Sequence, residues 1–296
     1  LKNPVMTASG TCGYGREYAP FMDLARLGGF TTKSVTLRPR KGNPPQRIAE
    51  TPGGMLNAIG LANVGLDEFM AAKLPECAAL GTAVFVNVAG YSIEEYVEVC
   101  RVLDTGEGLA GVELNVSCPN VKDGLTFGTD PILLKELVAA VRPVVKRGVL
   151  IVKLSPNVTD ITVTARAAIE GGADALSMIN TFLGMKIDIR TRRPVLANQS
   201  GGVSGPAIKP MAIHMIHRVY REVASESGIP IIGMGGIATW QDAVEFMLAG
   251  ATAVAVGTAL FTHPDAPMRI IGGMGNYLAE QDLFSAGELT GASESA

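Results

Sequence analysis

The side chains best suited to chemistry in this sequence lie in one short segment, residues 111–120, which reads GVELNVSCPN. Its first part alternates apolar and polar residues, the period-two pattern of a pleated strand. Cys118 and Pro119 then follow at a break in this pattern. Because Pro119 disfavours helical geometry at the preceding residue, the thiol is predicted to lie on a stiff turn at the carboxyl end of the strand. A thiol between the carboxamides of Asn115 and Asn120 could act as a nucleophile or transfer a proton.

Composition and charge narrow the class of protein. With 47% hydrophobic and 18% charged residues among 296, the chain is expected to fold around a large core. A net charge of −3 provides no basic surface for nucleic acid or an anionic membrane. No apolar run approaches the ~20 residues that span a bilayer, and no signal peptide is evident. The cysteines, too widely spaced for a metal or iron–sulfur motif, are Cys12, Cys77, Cys100 and Cys118. We therefore expect a cytoplasmic protein without membrane insertion or metal.

Short apolar runs alternate with helix-length amphipathic segments along the chain. The predicted strands are 5–9, 30–34, 84–88, 112–116, 150–154, 175–179, 230–234 and 253–257. The predicted helices are 93–103, 131–146, 162–171, 206–226 and 239–249. Eight strand–helix units favour a closed (β/α)8 TIM barrel, whose usual size is ~250 residues. An open doubly wound sheet competes with it, but no GxGxxG follows the first strand. We predict a single α/β barrel domain over residues 1–296.

Two segments are longer than the usual connections of a barrel. Residues 35–64 contain GGMLNAIGLAN, and residues 181–205 contain KIDIRTRRPVL followed by SGGVSG. KIDIRTRRPVL alternates as a small hairpin would, and SGGVSG is interpreted as flexible. Because both segments begin after the carboxyl end of a strand, we expect them to extend over the rim that carries barrel active sites.

The residues at or just after the carboxyl ends of the predicted strands form a coherent chemical set. They are Ser9, Gly10, Lys33, Ser34, Asn87, Asn115, Cys118, Asn120, Lys153, Asn180, Thr181, Gly235, Gly236, Gly257 and Thr258. Barrels often bind phosphate with backbone N–H groups after the seventh and eighth strands, where this chain has MGG and VGT. Lysine is rarely buried without a partner. Lys33 and Lys153 could therefore stabilise negative charge on a bound ring or act as Schiff-base amines.

Several consecutive motifs resemble those of class 1 dihydroorotate dehydrogenases, from Leu1 to about Phe261. They are LKNPVMTASG, MLNAIGLAN, ELNVSCPNVKDG, FGTDP, VKLSPNVTDI, MINT, GGVSGPAIKP and IIGMGGI. NVSCPNVKDG together with FGTDP is most similar to class 1B, whose catalytic subunit pairs with an electron-transfer subunit. Cys12 departs from the family pattern and receives no role.

The resemblance implies an FMN-dependent barrel that oxidises (S)-dihydroorotate to orotate in pyrimidine biosynthesis. Cys118 would remove the C5 proton while a hydride leaves C6 for the flavin N5. Positions that contact FMN in the family match Ser9, Lys33, Ser34, Asn87, Asn115, Lys153, Ile179 and Gly205, with Gly235, Gly236, Gly257 and Thr258 at the phosphate end. Positions that hold orotate match Lys33, Asn57, Ala58, Ile59, Gly60, Leu61, Asn115, Asn120, Asn180 and Thr181. Lys153 would then stabilise the reduced flavin.

The resemblance also implies partners, because reduced FMN must be reoxidised. The chain has neither an iron–sulfur motif nor a dinucleotide fingerprint, so a second subunit is expected to carry FAD and a 2Fe-2S cluster and to pass electrons to NAD. A homodimer within a heterotetramer is expected on the same basis. The alternatives are another FMN barrel, such as a dihydropyrimidine dehydrogenase domain, a Schiff-base aldolase using Lys153, and a non-catalytic binding barrel. Asn120 argues against the first, because those relatives tend to have histidine there.

Overall fold

Fourteen β-strands lie within residues 1–117 and 127–293, the part of the chain that the computed structural model describes. In chain order they are β1 (Val5–Thr7), β2 (Gly29–Thr31), β3 (Ile48–Thr51), β4 (Gly54–Asn57), β5 (Ala83–Val88), β6 (Leu109–Asn115), β7 (Val149–Lys153), β8 (Ala175–Met178), β9 (Phe182–Met185), β10 (Ile187–Asp188), β11 (Arg193–Pro194), β12 (Ser200–Ser204), β13 (Ile231–Gly233) and β14 (Ala253–Val256). Eight of them form a closed parallel barrel in the order β1, β14, β13, β8, β7, β6, β5, β2. The predicted (β/α)8 barrel is therefore confirmed.

The helices surround this barrel. They are α1 (Leu66–Glu68), α2 (Leu74–Ala78), α3 (Ile93–Leu103), α4 (Pro131–Val141), α5 (Ile161–Glu170), α6 (Lys209–Val219), α7 (Ser225–Ser227), α8 (Trp240–Leu248), α9 (Ala259–Thr262) and α10 (Ala266–Glu280). The predicted helix 93–103 matches α3. Thr239 caps α8 through a capping box with Asp242. Among the described residues, no helix is both long and apolar enough to cross a membrane.

Several predicted boundaries were wrong. The helix expected over 131–146 ends at Val141, because Pro143 supplies no N–H for a further α-helical turn and residues 142–144 form a 3₁₀ turn. The helix expected over 206–226 is four consecutive pieces: a 3₁₀ turn, α6, a π-helical segment (Tyr220–Ala224) and α7. Seven of the eight barrel strands end one to three residues earlier than predicted, and β5 ends at Val88 as predicted. The earlier ends leave residues such as Ser9 and Ser34 in the loops at the rim.

The two long segments pair with each other, which the sequence did not predict. β3, β4, β12 and β9 form a four-stranded antiparallel sheet, and β10 pairs with β11 as the predicted hairpin. The interpretation of SGGVSG as flexible is wrong, because residues 200–204 are the inner strand β12. Its glycines permit close packing: a Cβ at Gly201 would lie 2.4 Å from the Asn57 carbonyl oxygen, and one at Gly202 would lie 2.0 Å from Thr181 Oγ1.

The alternation of side chains along the barrel strands separates two cores. The larger core lies between the barrel and the helices. A smaller cluster fills the barrel interior and comprises Met6, Ala8, Phe85, Ile151, Ala175, Ile232, Met234, Ala253 and Ala255. The strands β5, β6, β7 and β8 also carry the buried polar side chains of Asn87, Glu113, Lys153 and Ser177. This change from apolar to polar along the same strands places a candidate site at the carboxyl end of the barrel.

Candidate active site

Lys153 extends across the barrel mouth. Lys153 is the last residue of β7 and is only 6% exposed. Its ammonium group donates a hydrogen bond to Ser9 Oγ at 3.0 Å. Ser9 follows β1, which lies four strands from β7 in the ring of eight and therefore on the opposite wall. The ammonium group thus occupies the space between opposite walls, where it can interact with a ligand seated over the barrel.

A chain of buried hydrogen bonds connects β5, β6 and β8 with the loop after β2. Ser34 Oγ donates to Asn87 Oδ1 at 2.5 Å, and Asn87 Nδ2 donates to Glu113 Oε1 at 2.7 Å. Ser177 Oγ donates to the other carboxylate oxygen, Oε2, at 2.8 Å. Ser34 and Asn87 were predicted as site residues from the sequence, whereas Glu113 and Ser177 were not. The alternation along β6 was the available signal for Glu113, since it places this residue on the same face as Asn115.

Two of the predicted carboxamides meet at the ends of β6 and β8. Asn180 Nδ2 donates to Asn115 Oδ1 at 3.1 Å and to Ser117 Oγ at 3.0 Å. The backbone oxygen of Asn115 accepts a hydrogen bond of 2.7 Å from the Tyr96 hydroxyl, which fixes the end of the strand. Ser117 is an additional polar group at this site. The two other candidates in the segment, Cys118 and Asn120, lie outside the described residues.

Lys33 provides a second cation at the rim. It is half-buried, and its pKa lies below the ordinary value of 10.5 because burial penalises the charged form and the nearby Arg47 repels it, with Glu17 opposing both effects. Within residues 1–117 and 127–293, the ammonium group of Lys33 has no hydrogen-bond or ion-pair partner. A half-buried ammonium group without a partner is suited to bind an anion.

The second sheet brings the segment 57–61 to the mouth. Leu56 and Val203 pack on one face of this sheet with Ala49 and Leu196. Asn57 and Gly202, which are paired in the register of β4 and β12, therefore face the other side, where Thr181 lies against Gly202.

The backbone of the segment 57–61 is shaped beyond Asn57. Ala58 and Ile59 are both held by Asn43, which donates from its side chain to the Ala58 oxygen and from its backbone to the Ile59 oxygen. Gly60 and Leu61 have φ values of +73° and +55°. A leucine in the left-handed region is strained, and such strain is concentrated at binding sites.

Asn157, which the sequence analysis did not single out, holds the segment after β8. Its Nδ2 donates to the Thr181 oxygen at 3.0 Å, and its Oδ1 accepts from the Leu183 N–H at 2.9 Å. The motif VKLSPNVTDI contained this residue, but only the tertiary contact reveals its role. Thr181 is therefore positioned by Asn157 in the loop after β7 and by its contact with Gly202 in β12.

The two glycine turns after β13 and β14 lie on neighbouring strands. Gly235 and Gly236 have φ values of +127° and +88°, and a Cβ at Gly236 would lie 2.8 Å from the Gly205 oxygen. Gly257 and Thr258 form the second turn. Among described residues, the four backbone N–H groups of these turns donate no hydrogen bond. Four available N–H groups in adjacent turns are suited to bind a phosphate.

Gly205 and Ile179 connect these turns to the rest of the rim. Gly205 has a φ of +105°, and a Cβ there would lie 2.6 Å from the Cα of Gly54 in β4. The buried Ile179 donates its backbone N–H to the Met234 oxygen at 3.0 Å. The glycine turns are thus in contact with both the second sheet and the end of β8.

The remaining described cysteines are unsuited to chemistry. Burial raises the pKa of each of the Cys12, Cys77 and Cys100 thiols to about 12, and all three are completely buried. A thiol with such a pKa is not a nucleophile near neutral pH. All three side chains pack in the larger core between the barrel and the helices.

Comparisons with known proteins agree with this geometry. A sequence model of the dihydroorotate dehydrogenase family matches residues 1–278. The chain is 54% identical over 295 residues to a protein of Pelobacter propionicus named dihydroorotate dehydrogenase B (NAD(+)), catalytic subunit, covering 99% of this chain and 95% of that one. It has the same identity and coverage with the protein of that name in Geobacter sp. strain M21. It is also 52% identical over 292 residues to a putative dihydroorotate dehydrogenase A (fumarate) of Solibacter usitatus, covering 98% and 94%. The chain belongs to the dihydroorotate dehydrogenase family.

Proposed function

We propose that this chain is a catalytic subunit that binds FMN and oxidises (S)-dihydroorotate to orotate in the cytoplasmic biosynthesis of pyrimidines. One observation carries the proposal: the carboxyl end of the barrel combines a buried ammonium group, converging carboxamides and a set of available backbone N–H groups. These groups suit a ligand that has a phosphate at one end and a polar ring at the other.

The residues present fit FMN. The turns of Gly235, Gly236, Gly257 and Thr258 offer N–H groups without protein partners among the described residues, and the three glycines have no Cβ atom that would block a phosphate. The other proposed contacts are Ser9, Lys33, Ser34, Asn87, Asn115, Lys153, Ile179 and Gly205. When bound, FMN supplies the acceptor for the hydride that leaves C6 of the substrate. Lys153 places a positive charge in the barrel mouth, where it stabilises negative charge on a ring bound above it.

The residues proposed to hold dihydroorotate surround the same mouth. They are Lys33, Asn57, Ala58, Ile59, Gly60, Leu61, Asn115, Asn120, Asn180 and Thr181. A carboxamide offers one donor and one acceptor group, which matches the alternating N–H and C=O groups of the pyrimidine ring. The ammonium group of Lys33 is proposed to pair with the anionic substrate, because it has no partner within the described residues.

Cys118 is proposed as the base that takes the C5 proton. An ordinary thiol has a pKa of ~8.5, so a nearby positive charge is needed to raise the thiolate fraction near neutral pH. This role rests on the sequence motif NVSCPN, since Cys118 lies outside the described residues.

The reaction can be tested with the FMN-loaded chain under anaerobic conditions. Addition of dihydroorotate is expected to bleach the absorbance of the oxidised flavin, whereas dihydrouracil, which lacks the carboxylate, is not. If dihydrouracil bleaches the flavin as fast as dihydroorotate, a dihydropyrimidine dehydrogenase activity replaces the proposed one. If neither compound bleaches it, the proposal fails.

The electrons are proposed to pass to NAD through a second subunit that carries FAD and a 2Fe-2S cluster, attached to a homodimer of this chain. The proposal draws on the names of the Pelobacter and Geobacter relatives, which specify NAD and a catalytic subunit. The Solibacter relative is named for fumarate, so both acceptors must be assayed. NAD reduction is expected only when the purified chain is combined with the electron-transfer subunit from the same genome. Turnover by the chain alone with NAD or fumarate at full rate would contradict the proposal.

A further inference from the structure

Glu113 is the central acceptor of the buried hydrogen-bond chain beside the mouth. Its residue is 2% exposed, and both carboxylate oxygens are used, Oε1 by Asn87 Nδ2 and Oε2 by Ser177 Oγ. Asn87 and Ser177 are completely buried, and Ser34 is 9% exposed. The four side chains come from β5, β6, β8 and the loop after β2, so the network connects half of the barrel wall.

A buried carboxylate is costly unless hydrogen bonds replace its hydration. Among residues 1–117 and 127–293, no lysine or arginine forms an ion pair with Glu113. The donors on Asn87 and Ser177 therefore provide the compensation. This makes the network sensitive to any change that removes an acceptor or reverses a hydrogen bond.

The chemistry of the carboxylate sets the direction of the hydrogen bonds. An ionised carboxylate only accepts, so Asn87 must turn its NH2 group towards Glu113 and its oxygen towards Ser34. The Ser34 hydroxyl must then donate to Asn87, as it does at 2.5 Å. With its hydrogen used, Ser34 Oγ is left with lone pairs alone and can only accept a further hydrogen bond.

We propose that Glu113 is a positioning residue for the bound ring: by accepting from Asn87 and Ser177, it fixes Ser34 Oγ as an acceptor for an N–H group of that ring. This deepens the proposed function, because it assumes that the ring is that of FMN. The role differs from support of the fold, since it predicts that the direction of the hydrogen bonds, and not only their number, controls binding.

The test uses the dissociation constant of FMN, measured by quenching of flavin fluorescence, and the Tm of the apoprotein, measured by circular dichroism. Glu113→Leu removes both acceptor oxygens, so the Asn87 amide is no longer held with its NH2 group towards position 113, and Ser34 is no longer held as a donor. We expect the FMN dissociation constant to rise about tenfold or more. Glu170→Leu makes the same chemical change in an exposed ion pair with Lys135 and is expected to leave the FMN dissociation constant unchanged.

Two further variants separate direction from simple support. Ser177→Ala removes one donor to Glu113 but leaves the bonds between Glu113, Asn87 and Ser34 in place, so it should lower the Tm and change the FMN dissociation constant by less than about threefold. Glu113→Gln keeps an acceptor oxygen for Asn87 Nδ2, and its NH2 group can donate to Ser177 Oγ, because a hydroxyl also accepts. Ser34 therefore still donates to Asn87, so the FMN dissociation constant should be at least about fivefold lower than in Glu113→Leu.

The outcomes are distinguishable. Normal FMN binding by Glu113→Leu, or a Glu113→Gln variant that binds FMN no better than Glu113→Leu, overturns the positioning role. If Glu113→Leu does not fold, Ser177→Ala decides between the two roles: a lower Tm with an FMN dissociation constant within about threefold of wild type supports positioning, and a larger loss of FMN binding overturns it. If the wild-type chain itself binds no FMN, the proposed function fails first, and the result is separate from any effect of Glu113.

Discussion

The ammonium group of Lys153 donates a hydrogen bond to Ser9 Oγ, although the two residues belong to opposite walls of the barrel. They are 144 positions apart in the sequence, and the segment from Ser9 to Lys153 contains four of the eight barrel strands, β2, β5, β6 and β7. The contact therefore places a single positive charge in the mouth, within reach of any ring that covers it. This contact and the other groups at the rim lead to five predictions.

Replacement of Lys153 by methionine removes the charge but keeps an unbranched apolar side chain of similar length. We expect the rate of flavin reduction by dihydroorotate to fall about 100-fold or more, because a positioned charge that stabilises the transition state contributes on this scale. Stopped-flow absorbance under anaerobic conditions measures the rate. Ser9→Ala keeps the charge and should cost less than about tenfold; an equal loss in both variants would mean that the hydrogen bond, and not the charge, is what matters.

Replacement of Cys118 by alanine should leave FMN bound, since the base does not hold the cofactor. Flavin reduction should slow by about 10²- to 10⁴-fold, the usual contribution of a general base. The same stopped-flow experiment gives the rate, and the absorbance of the oxidised flavin gives the occupancy. Cys12→Ala is the matched control, because the Cys12 thiol is completely buried with its pKa raised to about 12. Reduction at the wild-type rate in Cys118→Ala would remove this residue from its role.

We expect the binding of the product orotate to depend on pH through the ammonium group of Lys33. Its pKa is lowered, so the charged form is lost at a lower pH than for a free lysine, starting below 10.5. Orotate affinity should therefore decrease as the pH rises towards 10.5, measured through the perturbation of the flavin spectrum. Lys33→Met should bind orotate more weakly and lose this dependence; if the dependence persists unchanged in Lys33→Met, another group causes it.

The lowered pKa of Lys33 also makes the free energy of unfolding depend on pH. Between the folded and unfolded pKa values, the unfolded chain binds more protons, so this residue makes the free energy of unfolding rise with pH in that window. Below it, the buried charge lowers stability. Chemical denaturation of wild type and Lys33→Met over this pH range should show the smaller slope in the variant.

Gly236→Ala tests the phosphate turn. Its φ of +88° disfavours any side chain, and the new Cβ would lie 2.8 Å from the Gly205 oxygen. Strain of this kind costs on the order of 1–3 kcal/mol, so the Tm should fall by several degrees and FMN should be lost on gel filtration. Gly272→Ala in α10 is the control, since a Cβ there meets nothing within 4 Å and alanine favours the helix. FMN retention by Gly236→Ala would show that this turn does not form the phosphate site.

Site residues could be predicted from the sequence where the residue type alone indicates a role in binding. The glycines after β13 and β14 were predicted because a turn that approaches an anion closely requires them. Lys153 was predicted because lysine is rarely buried in an apolar strand without a partner or ligand for its charge. Glu113 and Asn157 were missed, since each has meaning only through partners distant in the chain. Ser177, for example, lies 64 residues from Glu113. β12 was mistaken for a flexible segment because its glycines are ordered by pairing with β4 and β9, which the local sequence does not reveal.

The sequence by itself determined the barrel, because eight apolar runs that alternate with amphipathic segments bury their apolar faces together in a closed parallel sheet. It also determined the residues at the carboxyl ends of the strands, since strand direction follows from chain order. Only the tertiary structure decided which of these residues meet. Closure of the ring brings Lys153 to Ser9 and Glu113 to Ser177, and hydrogen bonds of about 3 Å depend on a register that local periodicity does not specify.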